Sequence, residues 1–154
     1  MSEGDQTPKF MADHMLGSLA RWLRMMGYDT VYDKRMDDAA IAKAARADAR
    51  FILTRDHELS KEPGAFYVEK DDLDSQLEAV AAKFGLRFNE EKIRCSVCNG
   101  ELKDLPKTEG PGSVPEGALQ ANDKFWKCSQ CGKVFWKGTH WNGIMDRLRK
   151  LNLA

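Results

Sequence analysis

Apolar positions along this chain alternate between a helical and an extended period. Residues 9 to 13 (KFMAD) form a short strand-like entry. From Met15 onward, Leu16, Leu19, Leu23 and Met26 keep the 3, 4, 3 spacing of one helical face, and Gly27 stands where a C-terminal cap belongs. Asp29 to Tyr32 offers β-branched and aromatic residues suited to a second strand. Asp37 or Asp38 opens an alanine-rich helix that runs to about Asp48, because a carboxylate there caps free N–H groups and meets the positive helix end. Phe51, Ile52 and Leu53 read as a buried strand that delivers Thr54, Arg55 and Asp56 at its carboxyl end. After the Pro63-Gly64 turn, Ala65 to Val68 is a further strand. Leu73, Leu77, Val80, Ala81 and Phe84 then make a helix stripe that Gly85 stops. Strands alternating with helices of this length predict an α/β domain over residues 9–90, with a mostly parallel sheet covered by helices.

From Arg94 the texture changes. Cys95, Cys98, Cys128 and Cys131 form two C-x-x-C pairs with 29 residues between them, surrounded by short aromatic strands. In a reducing compartment this spacing favours Zn²⁺ over disulfides, and four thiolates satisfy a structural, tetrahedral site. Such a site keeps no open position for water, so the zinc holds the fold and His140 is not a ligand. A small four-cysteine zinc ribbon is therefore expected over 91–145, followed by a short basic tail, 146–154, that can be helical. Pro106 to Gly117 carries three prolines and three glycines and is predicted as a flexible loop inside the ribbon.

Composition narrows the class. The 154 residues are 42% hydrophobic and 31% charged, as in ordinary globular proteins. Apolar runs reach four residues, far short of the ~20 that a transmembrane helix needs, so no membrane association is expected. The opening MSEGDQTPKF lacks an apolar core and does not read as a secretory signal, which predicts a cytoplasmic protein. Before Cys95 there are 15 basic and 18 acidic residues, and from Cys95 onward 9 and 6, giving −3 and +3. An acidic body with a cationic appendage follows.

Carboxylates recur at element ends: Asp13 after the first strand, Asp37 and Asp38 at a helix start, Asp56 after the third strand, and Asp71, Asp72 and Asp74 before the last helix of the domain. Parallel strands share one carboxyl edge, so Asp13 and Asp56 can converge although 43 positions apart, with Asp38 alongside. Crowded carboxylates call for a hard divalent cation such as Mg²⁺ or Mn²⁺, which predicts a phosphoryl-transfer site. The competing reading is that each aspartate caps a helix or faces water. Arg21, Arg24 and Arg55 suit phosphates geometrically or pair with these acids. Phe125, Trp126, Phe135, Trp136 and Trp141 interleave with Lys124, Lys127, Lys133 and Lys137. That pattern serves stacking on unpaired bases, or cover for a metal site in a tiny ribbon.

The specific residues go further. Asp13-x-Met15-Leu16-Gly17-x-Leu19-Ala20-Arg21-Trp22-Leu23-Arg24-x-x-Gly27-Tyr28-Asp29-Thr30, then Asp37-Asp38, then Leu53-Thr54-Arg55-Asp56-x-Glu58-Leu59 resembles the PIN-like ribonuclease family named for the C-terminal domain of the Mut-seven exonuclease. The Cys-Gly-Lys-x-Phe-Trp-Lys-Gly-x-His-Trp run at 131 to 141 resembles that family's zinc ribbon, so the likeness spans about residues 9 to 150. It implies a three-layer PIN-like fold and a Mg²⁺- or Mn²⁺-dependent ribonuclease. Asp13, Asp38 and Asp56 match the expected metal-binding acids, with Asp37 and Glu58 as secondary candidates. Ser18 and His14 depart from the pattern, where the family often carries an arginine and a small residue. The resulting expectation is an enzyme that hydrolyses RNA phosphodiester bonds, with Arg21, Arg55, Lys127, Trp136 and Lys137 contacting RNA. rRNA, tRNA or the ribosome are candidate partners, and oligomeric state is left open. The alternative is a noncatalytic RNA- or ribosome-binding protein with the same fold.

Overall fold

Phe10 and Met11 are neighbours in sequence yet bury into opposite sides of one sheet, and that alternation sets the architecture. The computed structural model describes residues 7–154; much of the leader expectation rests on residues 1–6, which lie outside the described residues. Strands β1 (Phe10–Ala12), β2 (Thr30–Tyr32), β3 (Phe51–Thr54) and β4 (Ala65–Tyr67) form a wholly parallel sheet in the order β2-β1-β3-β4. Helices α1 (Gly17–Met26) and α3 (Leu73–Phe84) cover one face, where Leu19, Leu23, Leu77 and Val80 meet Phe10, Ala12 and Leu53. Helix α2 (Asp38–Ala47) covers the other, setting Ile41, Ala42 and Ala45 on Met11 and Ile52. The result is the expected three-layer α/β domain.

Local chemistry ends these helices where the pattern predicted. Gly27 closes α1 at φ 109° and Gly85 closes α3 at φ 69°, a left-handed conformation that only glycine adopts without steric cost. Asp37 caps α2, accepting the Ala40 N–H at 2.8 Å.

The second module is an antiparallel sheet of β5 (Leu102–Leu105), β6 (Phe125–Cys128) and β7 (Val134–Trp136), in the order β5-β6-β7. Within the 106–117 segment, predicted as a flexible loop, there is a 3-10 turn at Lys107–Glu109 and the start of a short helix, α4 (Glu116–Ala121). Buried Val114 anchors it, and its N–H bonds the Gly110 carbonyl at 2.9 Å.

Where a basic tail was expected from 146, the structure has the second half of α5 (Thr139–Lys150), which packs back on the first domain. Leu148 and Leu153 are buried in the α1/α3 core, and the Leu153 carbonyl accepts the Phe88 N–H at 2.8 Å. Arg147 pairs with Asp74 at 2.5 Å and lies over the Trp22 ring at 5.1 Å. Full burial of one leucine contributes about 1.5–3 kcal/mol, which outweighs the pull of the flanking cations toward water. No helix among the described residues is long and apolar enough to cross a membrane.

Candidate active site and cysteine cluster

Helix α1 leaves β1 toward one face of the sheet and α2 enters β3 from the other, so the chain diverges between the adjacent strands β1 and β3. Crevices at such a point, outside the carboxyl ends of parallel strands, are where α/β sheets hold ligands. Asp13 follows β1 at this edge and is 1% exposed. Its Oδ1 accepts the Met15 N–H at 3.0 Å, while its Oδ2 accepts the Thr54 hydroxyl at 2.5 Å and the Arg55 N–H at 3.2 Å. The Thr54 oxygen in turn accepts the Asp56 N–H at 2.9 Å. One carboxylate thus ties the ends of β1 and β3 together.

Asp56 is fixed by its own turn, with Oδ1 accepting N–H groups from Glu58 at 2.8 Å and Leu59 at 3.2 Å. Asp38, exposed on the first turn of α2, lies near enough to Asp56 and Asp13 to feel the charge of both. The two carboxyls are driven apart in acidity. Partial desolvation, then the charges of Asp56 and Asp13, raise Asp38 above the ordinary aspartate range, against a small opposing effect of His14. The backbone N–H groups of Leu59 and Glu58 lower Asp56.

The remaining predicted acids have other partners. Asp37 caps α2, and Glu58 pairs with Lys61 at 2.9 Å. Asp72 caps α3 through the Ser75 N–H at 2.9 Å, and Asp71 pairs with Arg55 at 2.6 Å. His57 stacks on Tyr67 with ring centroids 4.5 Å apart.

The predicted RNA contacts differ in availability. Arg21 is exposed on α1. Arg55 is engaged by Asp71 and by the Glu69 carbonyl at 3.3 Å. Lys137 pairs with Glu90 at 3.0 Å and lies over the Trp141 ring at 5.5 Å. Strand register sets Lys127 opposite Val134 and Phe125 opposite Trp136, so Lys127 and Trp136 share one face of the ribbon. Trp126 points to the other face and stacks on Trp141 at 6.2 Å.

Among the described residues, Cys95, Cys98, Cys128 and Cys131 bring four ligand atoms within 4.8 Å of one another. The Cys95–Cys131 and Cys98–Cys128 sulfurs lie 3.6 and 3.4 Å apart. Tetrahedral Zn–S bonds of ~2.3 Å imply S···S edges of about 3.8 Å, so the set fits that ion closely. Backbone N–H groups of Gln130 and Cys131 point at the Cys128 sulfur from 3.4 Å. Gly100 completes the first turn, because a Cβ there would sit 2.7 Å from the same sulfur.

Long-range bonds of Arg24, Asn99 and Arg50 join this cluster to the first domain. Arg24, considered as a surface or acid-pairing cation, is instead buried; its Nε donates to the Thr30 carbonyl at 2.8 Å and its Nη1 to the Ser96 carbonyl at 3.0 Å. Asn99 accepts the Thr30 N–H at 2.9 Å and donates to Asp29 at 2.6 Å, and Arg50 grips the same Asp29 at 2.8 Å. Asn99 has φ 70°, and Asn-Gly directly after a C-x-x-C pair was the available signal for that turn.

No curated protein and no solved structure matches the chain. The family model described as the Mut7-C RNAse domain matches residues 8–148, across both the parallel sheet and the cysteine-bearing module. The chain therefore belongs to the Mut7-C RNAse domain family.

Proposed function

We propose that the protein is a metal-dependent ribonuclease that hydrolyses RNA phosphodiester bonds at the edge formed by Asp13, Asp38 and Asp56. The observation that carries this reading is buried Asp13 bonded to the Thr54 hydroxyl, whose oxygen accepts the Asp56 N–H, so that both acids stand at the carboxyl edge of the sheet where helices leave in opposite directions and Asp38 feels their charges. Carboxylates gathered at one edge call for a neutralising cation, and oxygen ligands suit Mg²⁺ or Mn²⁺. Such a cation would lower the pKa of a bound water and offset charge on the scissile phosphate.

The chain's own residues divide the work by how firmly each is held. Asp13, with three donors on its oxygens, is an immobile anion. Asp56 has its Oδ1 committed to backbone N–H groups. Asp38, on an exposed first turn, is the carboxyl free to change its proton or its partner. Arg21, which lines a groove together with Met15 beside this edge, holds a phosphate. The cysteine set carries structural Zn²⁺, and the ribbon aids RNA binding; rRNA, tRNA or the ribosome are the partners in this reading, met in the cytoplasm.

The test is cleavage of labelled RNA with Mg²⁺ or Mn²⁺, in the parent and in Asp38→Asn. Asp38 is the informative choice because Asp13 and Asp56, unlike it, accept backbone N–H groups that hold the sheet edge together. The expected result is metal-dependent cutting by the parent and a loss of at least about a hundredfold in the variant, of the size expected when a catalytic group is removed. RNA binding without cutting under either metal would overturn the reading in favour of a noncatalytic binder.

A further inference from the structure

A groove of about 660 Å³ runs beside α1 from the β1–α1 turn to the first cysteine loop. Its lining reverses the charge of the acidic domain that contains it: Arg21, Arg24, Lys34 and Arg35 face one carboxylate, Asp33. Two of these cations are spoken for. Arg35 is held by both oxygens of Asp33 at 3.0 Å, and Arg24 is buried with its donors on the Thr30, Ser96 and Val97 carbonyls. Arg21 and Lys34 remain exposed, with no ion pair among the described residues.

Apolar exposure coincides with this charge. Three large apolar side chains are exposed among the described residues: Met15 at 59%, Val97 at 61% and Phe51 at 38%. The two most exposed stand at the two ends of this one groove. The Tyr32 ring forms part of its floor, packed so close to α1 that a Cβ on Gly17 would lie 3.1 Å away, and its hydroxyl donates to the His14 carbonyl at 2.9 Å. The near end lies beside the acidic edge through the chain itself, since the Met15 N–H is a donor to Asp13. The far end is the Ser96-Val97 turn, which Arg24 fastens to α1.

The geometry points to a path for single-stranded RNA that leaves the acidic edge, follows α1 past Arg21 and Lys34, and ends against Val97 in the first cysteine loop. This deepens the ribonuclease reading and rests on it for the direction of the strand. From Gly17 to Arg24 the helix advances about 10 Å, the length of roughly three stacked nucleotides. Arg21 on that helix and Lys34 across the groove are the free cations that meet phosphates along it. Met15 and Val97 offer nothing to a phosphate, but they can pack on base faces, and bases show those faces only when unpaired. The ribbon then contributes to RNA binding through the turn that Arg24 pins, rather than through Lys137, which Glu90 already holds.

The test is fluorescence anisotropy with a labelled 12-nucleotide oligouridylate and the zinc-loaded full chain, without added Mg²⁺ or Mn²⁺ so that nothing is cut. Arg21→Glu, Lys34→Glu and Val97→Asp are compared with Lys150→Glu, at the far end of α5. Each groove variant is expected to weaken binding at least about fivefold, and each of the two cation variants to flatten the slope of log K against log salt by about 0.7. Lys150→Glu stays within twofold, and a duplex of the same length binds more weakly than the single strand. Zinc content and thermal midpoint equal to the parent's keep the comparison fair. The path is overturned if the parent does not bind the oligonucleotide, if folded groove variants bind within twofold of the parent, or if the duplex binds as tightly. A parent that binds in this way yet never cuts would defeat the nuclease reading and leave the path standing.

Discussion

The four thiols come from two tight turns, each supplying its pair within four residues, whereas the aspartates come from two strand ends and a helix start spread from position 13 to position 56. The first arrangement is soft, local and nearly self-assembling; the second is hard, long-range and only as good as the sheet that presents it. They also respond oppositely to an empty site. Thiols without metal lose the reason for their turns, because ligand binding and folding are one equilibrium. Without metal, Asp13 and Asp56 stay where backbone N–H groups put them, and only Asp38 is left to respond to their charge. One cluster is expected to govern structure, and the other chemistry.

Cys98→Ser gives the largest effect. Apparent zinc affinity in isolated four-ligand modules corresponds to about 10–16 kcal/mol, comparable to the whole stability of a typical domain, about 5–15 kcal/mol. The variant should therefore lose its zinc, measured by native mass spectrometry, and lose hydrogen-exchange protection from 95 to 136. The damage should spread through Arg24, Asn99 and α5, which bond or pack across the boundary. A variant that keeps full protection there without zinc would break the contrast.

The asymmetry also explains what could be read from the sequence. Helix ends were legible because caps are local: Asp37, Gly27 and Gly85 act within four residues of themselves. The cysteine set was legible because C-x-x-C carries its own geometry. The acids were legible through topology, since parallel strands share one carboxyl edge and bring Asp13 and Asp56 to it with Asp38 alongside, but not through anything local to each residue, so the Thr54 link between Asp13 and Asp56 was not foreseen. Arg24 was misjudged for the same reason: its partners, the carbonyls of Ser96 and Val97, lie 72 and 73 positions away, and a periodicity argument sees only its helical neighbours. The 146–154 segment looked like a tail because Leu148 and Leu153 sit among cations, whose charges can stay in water while the leucines insert.

Asp13→Asn gives the next largest effect and sharpens the division, because Asp13 belongs to both halves of it. Its two oxygens satisfy a hydroxyl and two backbone N–H groups in a site that is 1% exposed. An amide nitrogen in place of one oxygen sets donor against donor, at a cost of about 1–3 kcal/mol. Urea unfolding should show that loss, together with loss of cutting, so this variant alone cannot separate scaffold from chemistry. Stability equal to the parent's would mean that the sheet edge does not depend on this carboxylate.

Asp38 supplies the smallest effect and the sharpest sign. Its folded-state pKa lies above the ordinary value of 3.8, so in metal-free protein its contribution is fully present below that value and is lost as pH rises through the raised one. Asp56, lowered by its turn, behaves the other way: its stabilisation is present above the ordinary range and is lost as pH falls. A negative charge on the first turn of α2 is worth about 0.3–1 kcal/mol in favour of ionised Asp38, but desolvation and the facing carboxylate outweigh it. Asp38→Asn removes both the titration and the charge that opposes Asp56. Without divalent cations, the variant's thermal midpoint should equal the parent's near pH 3 and rise above it toward pH 7. Adding Mg²⁺ at pH 7 should then stabilise the parent alone and close the gap. A gap that is independent of pH, or negative at pH 7, would show that the two carboxyls do not oppose each other, and the acidic edge would lose its claim to hold a cation.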